Sequence, residues 1–222
     1  MAMINHIAIS LDDISAWCRK NNKRLDESCS TYFENVKILL EMQIKLNFPI
    51  LTVYLLPDST SRPSDDYVDF SGFIADFFNK LSENHLIAEN KIKISIFGKW
   101  YHLPGKAVES LKNIIESTKD NNSFFANFCI NYDGQEEIVD ACKLVAKQAE
   151  AGRIAPDMIT KDSIKENIYS SYVLPPDIIL IYGERKSTGL LLWDSASSKI
   201  EFAGKSFMEF EEEDIKKLVN LP

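Results

Sequence analysis

Two kinds of hydrophobic segment alternate along the chain. Short apolar runs rich in branched residues occur within Ile4–Leu11, Ile50–Leu56, Lys91–Phe97, Ser123–Asn131 and Asp177–Ile181. Near-continuous apolarity over such short lengths is what burial on both faces of a sheet produces. Between these runs, apolar residues recur at helical spacing over Ile14–Asn21, Ser28–Lys45, Tyr67–Leu86, Pro104–Thr118, Glu136–Glu150 and Phe210–Val219. Ser28–Lys45 shows the period best, with Phe33, Val36, Leu39, Leu40 and Ile44 on one face. Pro156–Tyr172 reads as one or two short helices, and Leu190–Trp193 as a helix or a strand end. Asn47-Phe48-Pro49, the Pro57–Pro63 stretch, Gly98 and Gly152 punctuate the pattern as turns and stops.

Strands alternating with helices of about 12 or more residues are the signature of βαβ units on a parallel sheet. No repeat, low-complexity tract or linker interrupts them. The pattern therefore predicts an α/β fold: a single domain over residues 1–222 with a mostly parallel central sheet flanked by helices.

The first strand runs straight into two carboxylates, Asp12 and Asp13, and a helix follows. Ligands of open α/β sheets sit beyond the carboxyl ends of the strands, so acids at this point are candidates for chemistry. An Asp here is equally suited to capping the helix that begins near Ile14.

Composition narrows the function classes. Hydrophobic residues make up 45% and charged residues 26% of the 222, an ordinary globular balance. The net charge of -8 argues against nucleic acid, which needs a basic face. Cys18, Cys29, Cys129 and Cys142 have no metal-ligand spacing and read as free thiols of a reducing compartment. No basic start with an apolar run suggests a signal peptide, and no stretch reaches the ~18–20 apolar residues of a membrane span. A cytoplasmic protein is the reading. His6 reads as a satisfied structural histidine and His85 and His102 as surface residues. Trp17 and Trp193 read as core, and the acidic Glu209–Asp214 helix start carries no chemistry.

Several motifs then occur in one order. His6-Ile-Ala-Ile-Ser-Leu-Asp12, followed by Trp17, resembles the opening of the cis-prenyltransferases, the undecaprenyl diphosphate synthase family. Their first strand runs into Asp-Gly-Asn-Gly-Arg-Trp. Asp12 and Trp17 match this pattern, and Asp13, Ile14, Ser15 and Ala16 do not. Ile94–Pro104, Asn131-Tyr-Asp-Gly-Gln-Glu-Glu-Ile138, Leu174-Pro-Pro-Asp177, Gly183-Glu184 and Leu191-Leu-Trp193 resemble later family segments in order. The resemblance covers His6 to about Val219 and implies the family's fold with a hydrophobic cavity.

It also implies a site. In the family the Asp matching Asp12 lies by the allylic diphosphate and helps ionise it, and it holds Mg2+ together with a Glu that here aligns with Lys199. Arg62, Asn131, Lys186 and Thr188 match family substrate-binding positions. Asp13 adjoins them, and Arg24, Arg185 and Lys199 are nearby cations able to stand in for others. Phe73, Phe77 and Phe78 fall on the helix that lines the family's lipid tunnel, although core packing explains such a cluster as well. Ala16, Leu25, Cys29 and Leu180 stand where the family has arginines and a histidine. Each lost charge-assisted contact is worth ~1.5–3 kcal/mol, and the overall negative charge offers no general compensation.

The resemblance thus implies an enzyme that ionises a short prenyl diphosphate for short-chain transfer or terpene synthase-like cyclisation, without long-chain elongation. The alternatives are a catalytically inactive subunit or lipid-binding regulator, and an unrelated small-molecule binder on the same scaffold. Weakened magnesium dependence follows if Lys199 replaces the metal's charge. Pairing through the last strand and neighbouring helices implies a homodimer. Without the Arg-x-Gly tail of some relatives, the sites are not expected to be shared between subunits.

Overall fold

A strand buried on both faces belongs in the middle of a sheet, and β1 (His6–Ser10) and β2 (Ile50–Pro57) are buried at almost every position. The computed structural model describes the backbone of residues 4–57 and 64–219, with side chains for all of these except 64–69. In it, β1 and β2 are central in a six-stranded sheet of order β3-β4-β2-β1-β5-β6, in which every pairing is parallel. The outer strands are β3 (Ile92–Phe97), β4 (Phe124–Tyr132), β5 (Ile178–Ile181) and β6 (Lys199–Phe202).

Alternation along the strands sorts side chains to two faces. Ile7, Ile9, Leu51, Val53, Ile178 and Leu180 join a large core with α1 (Ile14–Asn21), α2 (Leu25–Leu46) and α3 (Ser64–Ser82). The short α4 (His85–Glu89), α5 (Gly105–Thr118) and the last helix α8 (Glu212–Val219) complete that layer. Ala8, Tyr54, Tyr132, Ile179 and Ile181 face the other side, under Val173, Leu190 and Leu191. There α6 (Gly134–Glu150) buries Glu137, which accepts from the Tyr132 hydroxyl at 2.6 Å, and α7 (Lys161–Lys165) follows it.

Where elements differ from the sequence pattern, capping and length explain it. The predicted Tyr67–Leu86 helix is two helices, because Asn84 accepts from the Leu86 N–H at 2.9 Å and starts α4 afresh. The second helix starts at Leu25, earlier than predicted, with Asp26 and Glu27 in its first turn. Leu190–Trp193 is a turn with Leu191 at φ 46, leading to a 3-10 turn at Asp194–Ser197. β6 was absent from the pattern: it is four residues long, at an edge, and alternates Lys199 and Glu201 with Ile200 and Phe202. The four cysteines are free thiols. No helix among the described residues is long and apolar enough to cross a membrane.

One polar strip crosses the sheet interior. Asp177 accepts from the Asn5 and His6 N–H groups at 2.7 and 2.9 Å, fixing the start of β1 against β5. The His6 ring lies 2.6 Å from the Leu174 carbonyl through Nδ1 and 2.8 Å from the Thr52 hydroxyl through Nε2, and Asn127 donates to the same hydroxyl at 3.1 Å. The Leu174 carbonyl can only accept, so Nδ1 carries the proton, and a neutral ring satisfies the whole strip. Burial lowers the His6 pKa from 6.5 to about 4. Between these values the unfolded chain binds a proton that the native chain refuses, so stability is full above about pH 6.5. It should fall by up to about 3 kcal/mol as the pH drops to about 4. Urea unfolding of the wild type and His6→Gln across this window isolates the effect. The wild type should lose stability more steeply, and equal slopes would contradict the assignment.

Candidate functional site

The sheet order reverses direction between β1 and β5: the chain leaves β1 for β2 on one side and returns from β4 to β5 on the other. The carboxyl ends of these two strands are therefore the topological switch point, where open α/β sheets form their crevice. Asp12 and Asp13 stand at the end of β1, and Tyr182 and Gly183 at the end of β5.

The adjacent carboxylates have separate tasks. Asp13 is the N-cap of α1 and accepts from the Ser15 N–H at 2.9 Å. Asp12 takes no part in the cap; its Oδ1 accepts the Phe207 N–H at 2.8 Å. Gly183 makes this position possible. At φ +79 its backbone suits glycine, and a Cβ there would lie 2.6 Å from the Asp12 Cβ. The Gly183 N–H in turn donates to the Lys205 carbonyl at 2.9 Å, so the Gly204–Phe207 loop is fastened to both strand ends.

A cleft of about 710 Å³ opens above this corner. Asp12, Asp13, Glu184 and Glu209 are the acidic residues of its lining, and Lys20, Lys186 and Lys205 the basic ones. Lys186 pairs with Glu184 at 2.5 Å. Lys205 pairs with Asp214 at 2.9 Å and Glu211 at 3.4 Å. Burial works against the charge of Lys205, but these two carboxylates outweigh it and raise its pKa. The Thr188 hydroxyl, also in the lining, is buried without a hydrogen-bond partner among the described residues. An orphaned hydroxyl in a cleft of mixed charge suits a ligand rich in acceptors.

Beneath the cleft the rings are closely packed. Phe207 meets Tyr32 and Tyr182 edge-on at 5.4 and 5.2 Å, and Tyr32 meets Phe33 and Phe70 at 5.5 and 6.0 Å. Phe33 stacks on Phe77 at 4.9 Å. Beyond this wall lies a separate groove of about 300 Å³ between α2 and α3, lined by Phe33, Phe73 and Phe77 with a charged rim.

The structure brings Asp12, Asp13, Lys186 and Thr188 together in the cleft and places the other described candidates elsewhere. Arg24 is 72% exposed and paired with Asp26 at 2.5 Å, away from the lining. The Arg185 guanidinium lies 5.8 Å from the Phe202 ring centroid, off the lining. Asn131, near the end of β4, has a left-handed backbone at φ 50 and donates to the Lys99 carbonyl at 2.9 Å, joining the ends of β3 and β4. Arg62 lies outside the described residues. Phe78 is core, packed on Phe128 at 5.0 Å, whereas Phe73 and Phe77 face the groove. Lys199 is 52% exposed at the opening residue of β6, paired with Glu201 at 3.3 Å and off the cleft lining. β6 runs parallel to β5, so its first residue lies at the far end of the sheet from Asp12. Trp17, read as core, is half-buried and lines the cleft. Lys20 and Lys205 were missed. Lys20 follows Asp12 by two helical turns, a signal present in the sequence, whereas Lys205 depends on the tertiary bond to Gly183.

No group of three or more His, Cys, Asp or Glu able to hold a metal occurs among the described residues. Asp12 Oδ2 has no hydrogen bond among the described residues, so a divalent cation would take this oxygen and draw its other ligands from water and the bound molecule.

A family model described as undecaprenyl diphosphate synthase matches residues 12–221. An isoprenyl transferase of Streptococcus thermophilus is 29% identical over 225 residues, spanning 97% of this chain and 88% of that one. A tritrans,polycis-undecaprenyl-diphosphate synthase (geranylgeranyl-diphosphate specific) of Thermoplasma volcanium is 32% identical over 186 residues, spanning 83% of this chain and 72% of that one. Lavandulyl diphosphate synthase from Lavandula x intermedia, solved in complex with dimethylallyl diphosphate, superposes with a TM-score of 0.90 at 23% identity. It covers 98% of this chain and 94% of its own, a likeness of fold.

The Asp12–Gly183 contact gives a direct test. Gly183→Ala should cost about 1–2 kcal/mol for the left-handed backbone and more for the displaced Asp12. Gly152, at φ +69 with open space around its Cβ position, supplies the control: Gly152→Ala meets only the backbone cost. Urea unfolding should rank Gly183→Ala well below Gly152→Ala, and equal losses would show that the corner is not crowded.

Proposed function

Because the chain belongs to the undecaprenyl diphosphate synthase family of cis-prenyltransferases, we propose that its cleft binds a short allylic prenyl diphosphate and ionises it, for short-chain transfer or cyclisation rather than long-chain elongation. The observation that carries this reading is the Asp12 carboxylate, held by the Phe207 N–H at the switch-point cleft and not consumed by helix capping. The aromatic wall supports the short substrate, since rings occupy the route from the cleft to the groove between α2 and α3. So does the lavandulyl diphosphate synthase neighbour, whose bound ligand is a short allylic diphosphate.

In this reaction the bond between the allylic carbon and the diphosphate oxygen breaks, the electron pair leaves with the oxygen, and an allylic cation remains. The residues must therefore hold the diphosphate, favour its departing charge and shield the cation from water. In this reading Lys186 takes phosphate oxygens, and so does Thr188 once its buried hydroxyl turns outward. Trp17 and the aromatic floor exclude water from the carbon chain. Mg2+, when bound, neutralises diphosphate charge. Asp12 would hold it together with the substrate's own oxygens. The four carboxylates of the lining outnumber its three lysines, so the cleft by itself does not neutralise a diphosphate. With Lys199 at the far end of the sheet, a strict metal requirement replaces the weakened dependence that a lysine in the metal's place would give.

We infer a homodimer, for which Val139 and Leu144 of α6, Ile200 of β6, and Tyr172 and Leu174 between them offer exposed apolar side chains.

Pyrophosphate release from dimethylallyl, geranyl and farnesyl diphosphates tests the reading. The wild type should release it with Mg2+ and stop in EDTA. Asp12→Ala should lower turnover ~100-fold or more but also strands the Phe207 N–H, at a cost of about 1–3 kcal/mol, so Asp12→Asn, which keeps an acceptor there, should show the same loss of turnover while unfolding normally. Products should reach no more than about four isoprene units. Binding without release would favour the inactive, lipid-binding subunit, and synthesis of a long polyprenyl chain would refute the short-chain proposal.

A further inference from the structure

Among the cations of the cleft, Lys205 differs in how it is held. Lys186 is 70% exposed and Lys20 is exposed, whereas the Lys205 side chain is 24% exposed. Its backbone carbonyl accepts the Gly183 N–H, and two residues later the Phe207 N–H holds Asp12. Its ammonium group is fixed by Asp214 at 2.9 Å, and Asp214, itself largely buried, also accepts from the Tyr182 hydroxyl at 3.0 Å. A lysine confined from both ends spends little side-chain entropy on meeting a ligand. It also keeps a donor in reserve, because an ammonium group has three and Asp214 and Glu211 engage two.

We propose that Lys205 is the anchoring cation for a diphosphate group in the cleft, with Asp214 and Tyr182 positioning it. This rests on the reading of the cleft as a prenyl diphosphate site and adds a residue to it. The arrangement makes up for the apolar residues at the end of β5, where Leu180 and Ile181 offer a phosphate nothing. A cation cannot be carried on those buried strand positions, so it comes from the loop bonded to the strand end instead. Glu211, exposed and 3.4 Å from the Lys205 ammonium, draws on the same charge and competes with any anionic ligand.

That competition separates a binding role from a structural one. Calorimetric titration with Mg2+ present would use two probes: inorganic pyrophosphate, and geranyl thiodiphosphate, whose sulfur bridge resists ionisation. The wild type should bind both. Lys205→Met should weaken both by about ten- to a hundred-fold, the scale of one charge-assisted contact. Lys205→Arg should keep most of the affinity. Glu211→Gln should tighten both by about two- to five-fold, the scale of an exposed ion pair. If Lys205 only staples α8 to the sheet, Glu211→Gln acts through the general field alone and tightens binding by the same factor in Lys205→Met as in the wild type. Lys205→Met strands Asp214 and its fold is checked by circular dichroism, while Glu211→Gln changes an exposed side chain and tests the proposal without that risk. Wild-type affinity in folded Lys205→Met, or Glu211→Gln affinity at or below the wild type, overturns the role of Lys205 and leaves the cleft's function standing. Weakening confined to the geranyl probe also overturns it, because Lys205 would then act on the carbon chain. A wild type that binds neither probe overturns this proposal and the reading of the cleft together.

Discussion

The hydrogen bond from the Phe207 N–H to Asp12 joins residues 195 positions apart, and the geometry of the cleft depends on it. A carboxylate at a strand end would otherwise turn to the nearest free N–H groups, those of the following helix. Asp13 has taken that role, so Asp12 is available to the C-terminal segment. The segment is thereby drawn over the ends of β1 and β5, carrying Lys205 and Ser206 to the lining and the Phe207 ring into the aromatic packing behind Tyr182. The bond thus orients a carboxylate, brings in a cation and adds a ring to that packing.

The sheet was legible because buried parallel strands must be apolar along their length, and five of the six announced themselves in this way. The sixth did not. As an edge strand it needs no apolar run, and Lys199 and Glu201 disguised it as a loop. Asp12 was legible for a topological reason, since the end of the first strand of such a sheet lies at the crevice whatever the details. The cations were less so. Arg24 has a carboxylate two residues away and Arg185 has the Phe202 ring beside it, and each is held by its neighbour. Distance along the chain to a motif says little about which partner a long, flexible side chain will find. Lys205 enters the cleft only through a bond between two loops, a relation that no local spacing encodes.

The same pattern explains how the site differs from what its motifs imply. The family resemblance points to a diphosphate site, and the cleft that forms has a carboxylate, an unpartnered hydroxyl and lysines that are mostly paired with acids. Such a lining would hold an anion by geometry and by a shared metal more than by excess positive charge. It is consistent with the net charge of -8, because the chain needs cations only at one corner.

The wall between the cleft and the α2–α3 groove is built from whole aromatic rings in edge-to-face and stacked contact, not from a graded series of small side chains. Space behind such a wall opens in units of one ring. Half a ring cannot be removed, and the removal of a whole one leaves a void costing about 3–5 kcal/mol unless something fills it. Divergence in the length of chain accommodated would then proceed by jumps, each intermediate burdened by an empty space until a longer hydrocarbon occupies it. In this sense the ligand would become a structural part of the protein that had made room for it.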